Sequence, residues 1–139
     1  MWIDIDKKTA SAPKPITGSD ARIVGIDVRP SNGKLYALNA NGQIFMLAPD
    51  TGVATPISQL TEKVELGAKP VVDFNPVADR LRVITVYGTS LRINVDTGQT
   101  IVDKPVAFDP ADVNAAKRPA LAAGAYINAV AGAKAADLY

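Results

Sequence analysis

Two aspartates, Asp27 and Asp73, stand 46 positions apart, each near the end of an apolar, strand-like run. If the two strands lie side by side, the carboxylates point toward a common axis and could hold Ca²⁺, which prefers oxygen ligands. The other interpretation is structural, because an Asp before a turn often accepts hydrogen bonds from the backbone N–H groups that follow it. The sequence therefore favours either a calcium site or a pair of turn-forming residues.

The triplet Asp-Thr-Gly occurs at residues 50–52 and again at residues 96–98. In aspartic proteases a pair of such aspartates shares a proton. Here each triplet ends one strand-like run and is followed at once by another, which is typical of a tight turn in which Gly adopts a positive φ. We predict structural turns rather than a protease site, with four residues forming them: Asp50, Gly52, Asp96 and Gly98.

Two arginines, Arg82 and Arg92, fall on the same predicted face of neighbouring strands. Together they could contact an anion or a carboxylate of a partner protein. Alternatively, they pair with acidic side chains of a neighbouring sheet and cover apolar surface with their aliphatic stems. Both interpretations remain open at the level of the sequence.

Composition excludes several classes of chemistry. The 139 residues contain neither Cys nor His, so a disulfide framework, a thiolate metal site, a Cys nucleophile and a His general base are all impossible. A formal charge of +1 gives no electrostatic reason to expect a nucleic acid partner. No apolar run approaches the roughly twenty residues of a membrane span, and the first residues lack a signal-peptide pattern. We therefore expect no catalytic residue, no cofactor other than the alternative Ca²⁺, no nucleic acid and no membrane span.

An internal repeat positions these residues. Residues 25–52 align with residues 71–98 without a gap, and each copy reads as strands separated by turn signals. Repeats of about 40 to 50 residues with this content are typical of propeller blades. We predict an all-β, β-propeller-like fold with about three blades of four antiparallel strands per chain.

The repeat also divides the chain into parts of one propeller-like unit, residues 1–139. We expect the terminal strands of a split blade at 1–20, a blade at 21–66, a second blade at 67–102 with a loop at 103–123, and the opening strands of the split blade at 124–139. A second chain would complete the split blade, either as a homodimer or as the complementary half of a propeller. The predicted assembly residues are Trp2, Ile3, Ile5, Leu138 and Tyr139.

Three long motifs resemble a known family: "GIDVRPSNGKLYAL", "VVDFNPVADRLRVIT…GTSLRINVDTG" and "AAGAYINAVAGAKAADLY". They are similar to the secreted bacterial proteins of the family called domain of unknown function 4394, over nearly the whole chain. The resemblance implies a propeller-like fold and an extracytoplasmic location, periplasmic or secreted, and it implies no catalytic residue. Because it also implies longer chains that begin with an export signal, this chain is expected to be a half-length or split member.

Two functions follow as expectations. The first is a non-enzymatic structural or protein-interaction module of extracytoplasmic type, built as part of a β-propeller. The alternative is an extracellular hydrolase or lactonase that uses a central, carboxylate-bound metal such as Ca²⁺, a function for which the only support is analogy of fold. Measurement of bound metal separates the two.

Overall fold

A computed structural model describes residues 1 and 3–139, so the predicted assembly residue Trp2 lies outside the described residues. The described residues form ten strands and no helix, which confirms the all-β prediction. In chain order the strands are β1 Ile3–Asp4, β2 Thr9–Ala10, β3 Ile23–Val28, β4 Leu35–Asn39, β5 Gln43–Leu47, β6 Ala54–Gln59, β7 Val71–Asn75, β8 Arg80–Ile84, β9 Ser90–Ile93 and β10 Thr100–Val102.

These strands build two similar sheets and one hairpin. The first sheet has the order β3-β4-β5-β6 and the second has the order β7-β8-β9-β10, with every neighbouring pair antiparallel. Strands β1 and β2 form a separate two-stranded hairpin, the N-terminal hairpin. Each sheet is therefore a meander in which consecutive strands pair, as expected for strands joined by short turns.

The β4–β5 connection shows how the sequence determines such a turn. Gly42 has a φ of +79°, and its N–H donates to the carbonyl oxygen of Asn39 over 3.0 Å. The buried side chain of Asn39 accepts hydrogen bonds from the N–H groups of Asn41 and Gln43. Glycine supplies the positive φ and asparagine satisfies the turn backbone, so the pair Asn41-Gly42 closes the hairpin.

The main core lies between the two sheets. Side chains alternate between the faces of a strand, so each sheet has two chemically distinct faces. Tyr36, Leu38 and Ile44 of the first sheet pack against one face of the second sheet, where the Tyr36 and Phe74 rings meet edge to face at 5.5 Å. We call that face of the second sheet its apolar face; its buried members are Phe74, Leu81, Val83, Leu91 and Ile93.

Strands β3 and β7 lie side by side where the two sheets meet. At Gly25 in β3, a Cβ atom would come within 2.3 Å of the Val72 side chain in β7. Glycine at this position allows β3 and β7 to approach closely. We call these first strands of the two sheets, which lie at their junction, the inner strands.

The end of the chain forms a short antiparallel ladder, the C-terminal ladder, comprising residues 125–127 and 137–139. Tyr126 is bridged to Leu138, and Ala125 and Tyr139 exchange both of their backbone hydrogen bonds, at 2.9 and 3.0 Å. The expected loop at 103–123 connects β10 to this ladder. It is tied to the β8–β9 hairpin through Val106, whose N–H donates to the carbonyl oxygen of Gly88 over 2.9 Å.

Candidate functional site

The structure brings Asp27 and Asp73 together at the junction of the inner strands. One carboxylate oxygen of Asp27 accepts the N–H of Val28, and the other accepts the N–H of Phe74 in the second sheet, both over 2.7 Å. Asp73 in turn accepts the N–H of Tyr126 in the C-terminal ladder over 2.6 Å. Each aspartate thus joins its own strand to the next one, β3 to β7 and β7 to the C-terminal ladder. Of the bonds to following backbone N–H groups that the structural interpretation expected, the structure has the one from Val28 to Asp27.

The Asp73 carboxylate lies beside that of Asp27 in a partly buried position. Burial raises the pKa of Asp73 above its usual range, and the adjacent Asp27 carboxylate raises it further. In the part of the chain that the structure describes, no group of three or more His, Cys, Asp or Glu side chains could hold a metal ion. The calcium interpretation therefore depends on two carboxylates, each of which already accepts a backbone N–H group.

A second charged cluster, absent from the sequence predictions, surrounds Arg29. Its guanidinium binds both carboxylate oxygens of Asp79, at 2.9 and 2.6 Å, and both of Asp96, at 2.9 and 3.0 Å. The Arg29 side chain is only 11% exposed, and its guanidinium carbon lies 5.8 Å from the centre of the Tyr36 ring. Arg29 directly follows β3 of the first sheet, and both acids lie in turns of the second sheet, so the cluster is an ionic contact between the sheets.

Charge pairing explains why Arg29 tolerates burial. Hydrogen bonds from Arg29 lower the pKa of the Asp79 carboxyl below its usual range, and the Ser31 hydroxyl lowers it further by donating to the same carboxylate over 3.0 Å. Bidentate pairs of this kind are among the stronger hydrogen-bonded contacts in proteins. The signal in the sequence is a departure from the repeat, because the position of Arg29 is taken by Asn75 in the second copy.

The two Asp-Thr-Gly turns share their backbone geometry but not their side-chain contacts. Gly52 and Gly98 have φ angles of +81° and +78°, and each donates its N–H to a carbonyl four residues earlier over 2.8 Å. In both turns the Thr hydroxyl, not the Asp carboxylate, accepts a backbone N–H two residues on. The Asp96 carboxylate binds Arg29, whereas that of Asp50 has no hydrogen-bond partner among the described residues.

This difference predicts unequal effects of two equivalent substitutions. Asp96→Ala removes two charge-assisted hydrogen bonds to Arg29 and should lower the free energy of unfolding by about 1 kcal/mol, the pair being partly exposed. Asp50→Ala should change it by no more than about 0.5 kcal/mol. Urea unfolding of both variants measures the difference; equal losses would instead assign the two carboxylates the same role in their turns.

Arg82 and Arg92 lie directly opposite each other on the second face of the second sheet, its polar face. Both bind Asp103, the residue after β10: Arg82 over 2.6 Å, and Arg92 through two nitrogens at 2.7 and 2.8 Å. Arg92 and then Arg82 lower the pKa of the Asp103 carboxyl. The acidic partner comes from the end of the same sheet and not from a neighbouring one, and the three charges leave the cluster with a net charge of +1.

A family model described as "Domain of unknown function (DUF4394)" matches residues 2–139. The chain belongs to this family. The match extends over essentially the whole sequence, in agreement with the resemblance of the three long motifs. Comparison with curated proteins and with solved structures found no match.

In this DUF4394 chain, the residues predicted to mediate assembly, as far as the structure describes them, occupy the two ends. Ile3 and Ile5 belong to the N-terminal hairpin and are exposed, whereas in the C-terminal ladder Leu138 is half-buried and Tyr139 is exposed. Among the described residues of the DUF4394 chain, no helix is long and apolar enough to cross a membrane.

The DUF4394 chain also carries an apolar groove on the face of the first sheet that points away from the second sheet. We call this surface the outer face; Ala37, Phe45, Leu47 and Ala54 form its buried base. The groove has a volume of about 720 Å³ and is lined mainly by aliphatic side chains, including Ile16, Ile26, Val28, Leu35 and Leu47.

Proposed function

We propose that this DUF4394 chain is a non-enzymatic structural or protein-interaction module, built as part of an extracytoplasmic β-propeller. The observation that carries the proposal is the stacking of two equivalent meanders through opposite faces, with their first strands side by side. Units stacked in this way leave one face free at each end for a further unit, as in a propeller.

The connecting segments support the same arrangement. The segment that follows β6 crosses the Asp-Thr-Gly turn of the second sheet. There Thr61 donates its N–H to the carbonyl oxygen of Gly98 over 3.1 Å. In the first sheet, Thr17 donates to the carbonyl oxygen of Gly52 over 3.0 Å. The segment before Thr17 thus lies where a preceding fourth strand would leave its blade. This position supports the proposal that the N-terminal hairpin is the last two strands of a preceding blade.

The C-terminal ladder supplies the complementary half. Tyr126 is opposite Leu138 as Phe74 is opposite Leu81 in the second sheet, so the ladder corresponds to the first two strands of a blade. One chain thus provides about three blades' worth of strands, fewer than the four to eight blades of most propellers. We infer that a second chain completes the split blade, as a homodimer or as the other half of the propeller.

The charged clusters support a structural role. Arg29 and the two inner aspartates join adjacent sheets, and Arg82 with Arg92 is neutralised in part by Asp103. The extracytoplasmic location rests on the resemblance of the motifs to secreted proteins. Since the proposed function lies in presenting surfaces, we assign no cofactor to it.

The adjacent Asp27 and Asp73 carboxylates are the observation that favours the alternative, a hydrolase or lactonase with a bound metal. A thermal shift assay with 5 mM Ca²⁺ and with EDTA tests the two functions. Under the proposed function we expect the melting temperature to change by less than about 2 °C, since no binding energy is gained. A calcium-dependent increase that disappears in Asp73→Asn but persists in the control Asp50→Asn would support the metal site, and turnover of an ester or lactone would then establish the enzyme.

A further inference from the structure

We propose that the outer face of the first sheet is the docking surface for a second copy of this chain. The second copy's C-terminal ladder pairs with the N-terminal hairpin, and the resulting four-stranded blade covers the outer face. This inference rests on the proposed propeller architecture and adds to it the surface, the register and the identity of the partner.

The surface of the second sheet that is equivalent to the outer face is covered by the first sheet of the same chain. Ile26 and Val28 stand where the second sheet has Val72 and Phe74, and they point to the same side of their sheet. Phe74 is 1% exposed because the first sheet packs on it, whereas Val28 is 48% exposed. The outer face is thus an apolar sheet surface whose equivalent one blade further along is buried by a sheet.

The N-terminal hairpin is already attached beside this face. Thr17 bonds on both sides, donating to the carbonyl oxygen of Gly52 and accepting the N–H of Ala54 over 2.8 Å. Lys14 donates to the backbone carbonyl of Asp50, and Met1 and Ile16 line the groove. Within the described residues β1 pairs with β2 alone, so its other edge is open to a further strand.

The backbone contacts between inner strands favour a second copy as the source of that strand. Asp27 accepts the N–H of Phe74, and Asp73 accepts the N–H of Tyr126, so each inner strand is held by an aspartate of the strand before it. The equivalent N–H in the first sheet belongs to Val28, and it is already bound by Asp27 over 2.7 Å. The strand that docks before β3 therefore needs no aspartate at this position.

The C-terminal ladder meets that requirement. Ala125 is opposite Tyr139 as Asp73 is opposite Arg82, so the ladder has alanine where the other two inner strands have aspartate. An aspartate there would place a third carboxylate beside Asp27 and Asp73 and add to the repulsion that already raises the pKa of Asp73. The ladder of a second copy thus fits the outer face of the first.

The repeat also specifies the register of the new strand pair. In the second sheet Leu81 is opposite Ile93, three residues before Asp96. Leu138 takes the place of Leu81, and Ile3, three residues before Asp6, takes that of Ile93. We expect the second copy's Leu138 to lie opposite Ile3, with Cβ atoms close enough for a disulfide.

Cysteine cross-linking tests this register cleanly because the chain contains no Cys. Under mild oxidation, the double variant Ile3→Cys/Leu138→Cys should form a covalent dimer at high yield. The control Val113→Cys/Leu138→Cys, with a loop residue that is 96% exposed, should form at most a small amount. A covalently closed monomer, or dimer yields equal to those of the control, would overturn the inference.

A second measurement avoids the cysteines. Light scattering of the unmodified chain should give a dimer, and Val28→Lys on the outer face should weaken dimerisation by about tenfold or more, because a charge enters an apolar interface. The control Val113→Lys, at a loop position that is 96% exposed, should leave it unchanged. A stable monomer, or equal effects of the two substitutions, would overturn docking at the outer face. Neither result would alter the calcium and turnover assays, so failure of this inference remains distinct from failure of the proposed function.

Discussion

Replacement of Gly98 by Ala should lower the free energy of unfolding by about 3 kcal/mol or more. The φ of +78° at Gly98 alone costs a residue with a Cβ about 1 to 2 kcal/mol. The added Cβ would also lie 1.8 Å from the backbone carbonyl oxygen of Gln59, which cannot move aside as a flexible side chain could. Relief of this overlap requires the end of β6 to leave its position over the turn, so contact between the sheets is lost as well.

Gly33 offers a matched control for this substitution. Its φ is +66°, but no atom lies within 4 Å of the position a Cβ would occupy. Gly33→Ala should therefore lower the free energy of unfolding only through the strain of its positive φ, by about 1 kcal/mol. Urea unfolding of the two variants separates backbone strain from steric overlap, and equal losses would show that the segment at Gln59 does not press on the turn.

Much of the local architecture could be predicted because it depends on neighbouring residues. The strand-like runs of the repeat, the turn signals between them and the repeated Asp-Thr-Gly triplets indicated strands and turns where the structure has them. The shared face of Arg82 and Arg92 also followed from strand periodicity, since their strands pair in register. These features can be predicted because they depend only on the alternation of side chains along a strand and on the residues of each turn.

Contacts between sheets could not be predicted in the same way. The partners of Arg29 lie 50 and 67 positions away, in two separate turns that meet only when the sheets stack. Likewise, the bond from Asp27 to the N–H of Phe74 depends on the spacing of β3 and β7, which Gly25 permits. A single sequence gave the equivalence of the repeats but not which residues of one copy face the other.

Arg29→Met is expected to lower the free energy of unfolding by about 2 to 3 kcal/mol at pH 7. Methionine preserves most of the apolar stem, but Asp79 and Asp96 lose all four hydrogen bonds to the guanidinium. The side chains of these acids are 36% and 56% exposed, so water compensates in part and the loss stays below that of a fully buried pair. The control Arg118→Met, at an exposed position of the long loop, should change stability by no more than about 0.5 kcal/mol.

The loss of stability caused by Arg29→Met should also become smaller as the pH falls. Because Arg29 lowers the folded-state pKa of Asp79, this ion pair contributes fully above the unfolded-state pKa of about 4 and is lost as the pH falls through the folded-state value. The difference in stability between parent and variant should thus be constant from pH 7 to 5 and become smaller below pH 4, as measured by urea unfolding at each pH. A difference that is unchanged at pH 3 would mean that Arg29 stabilises the junction by packing on Tyr36 and not through the charges of the second sheet.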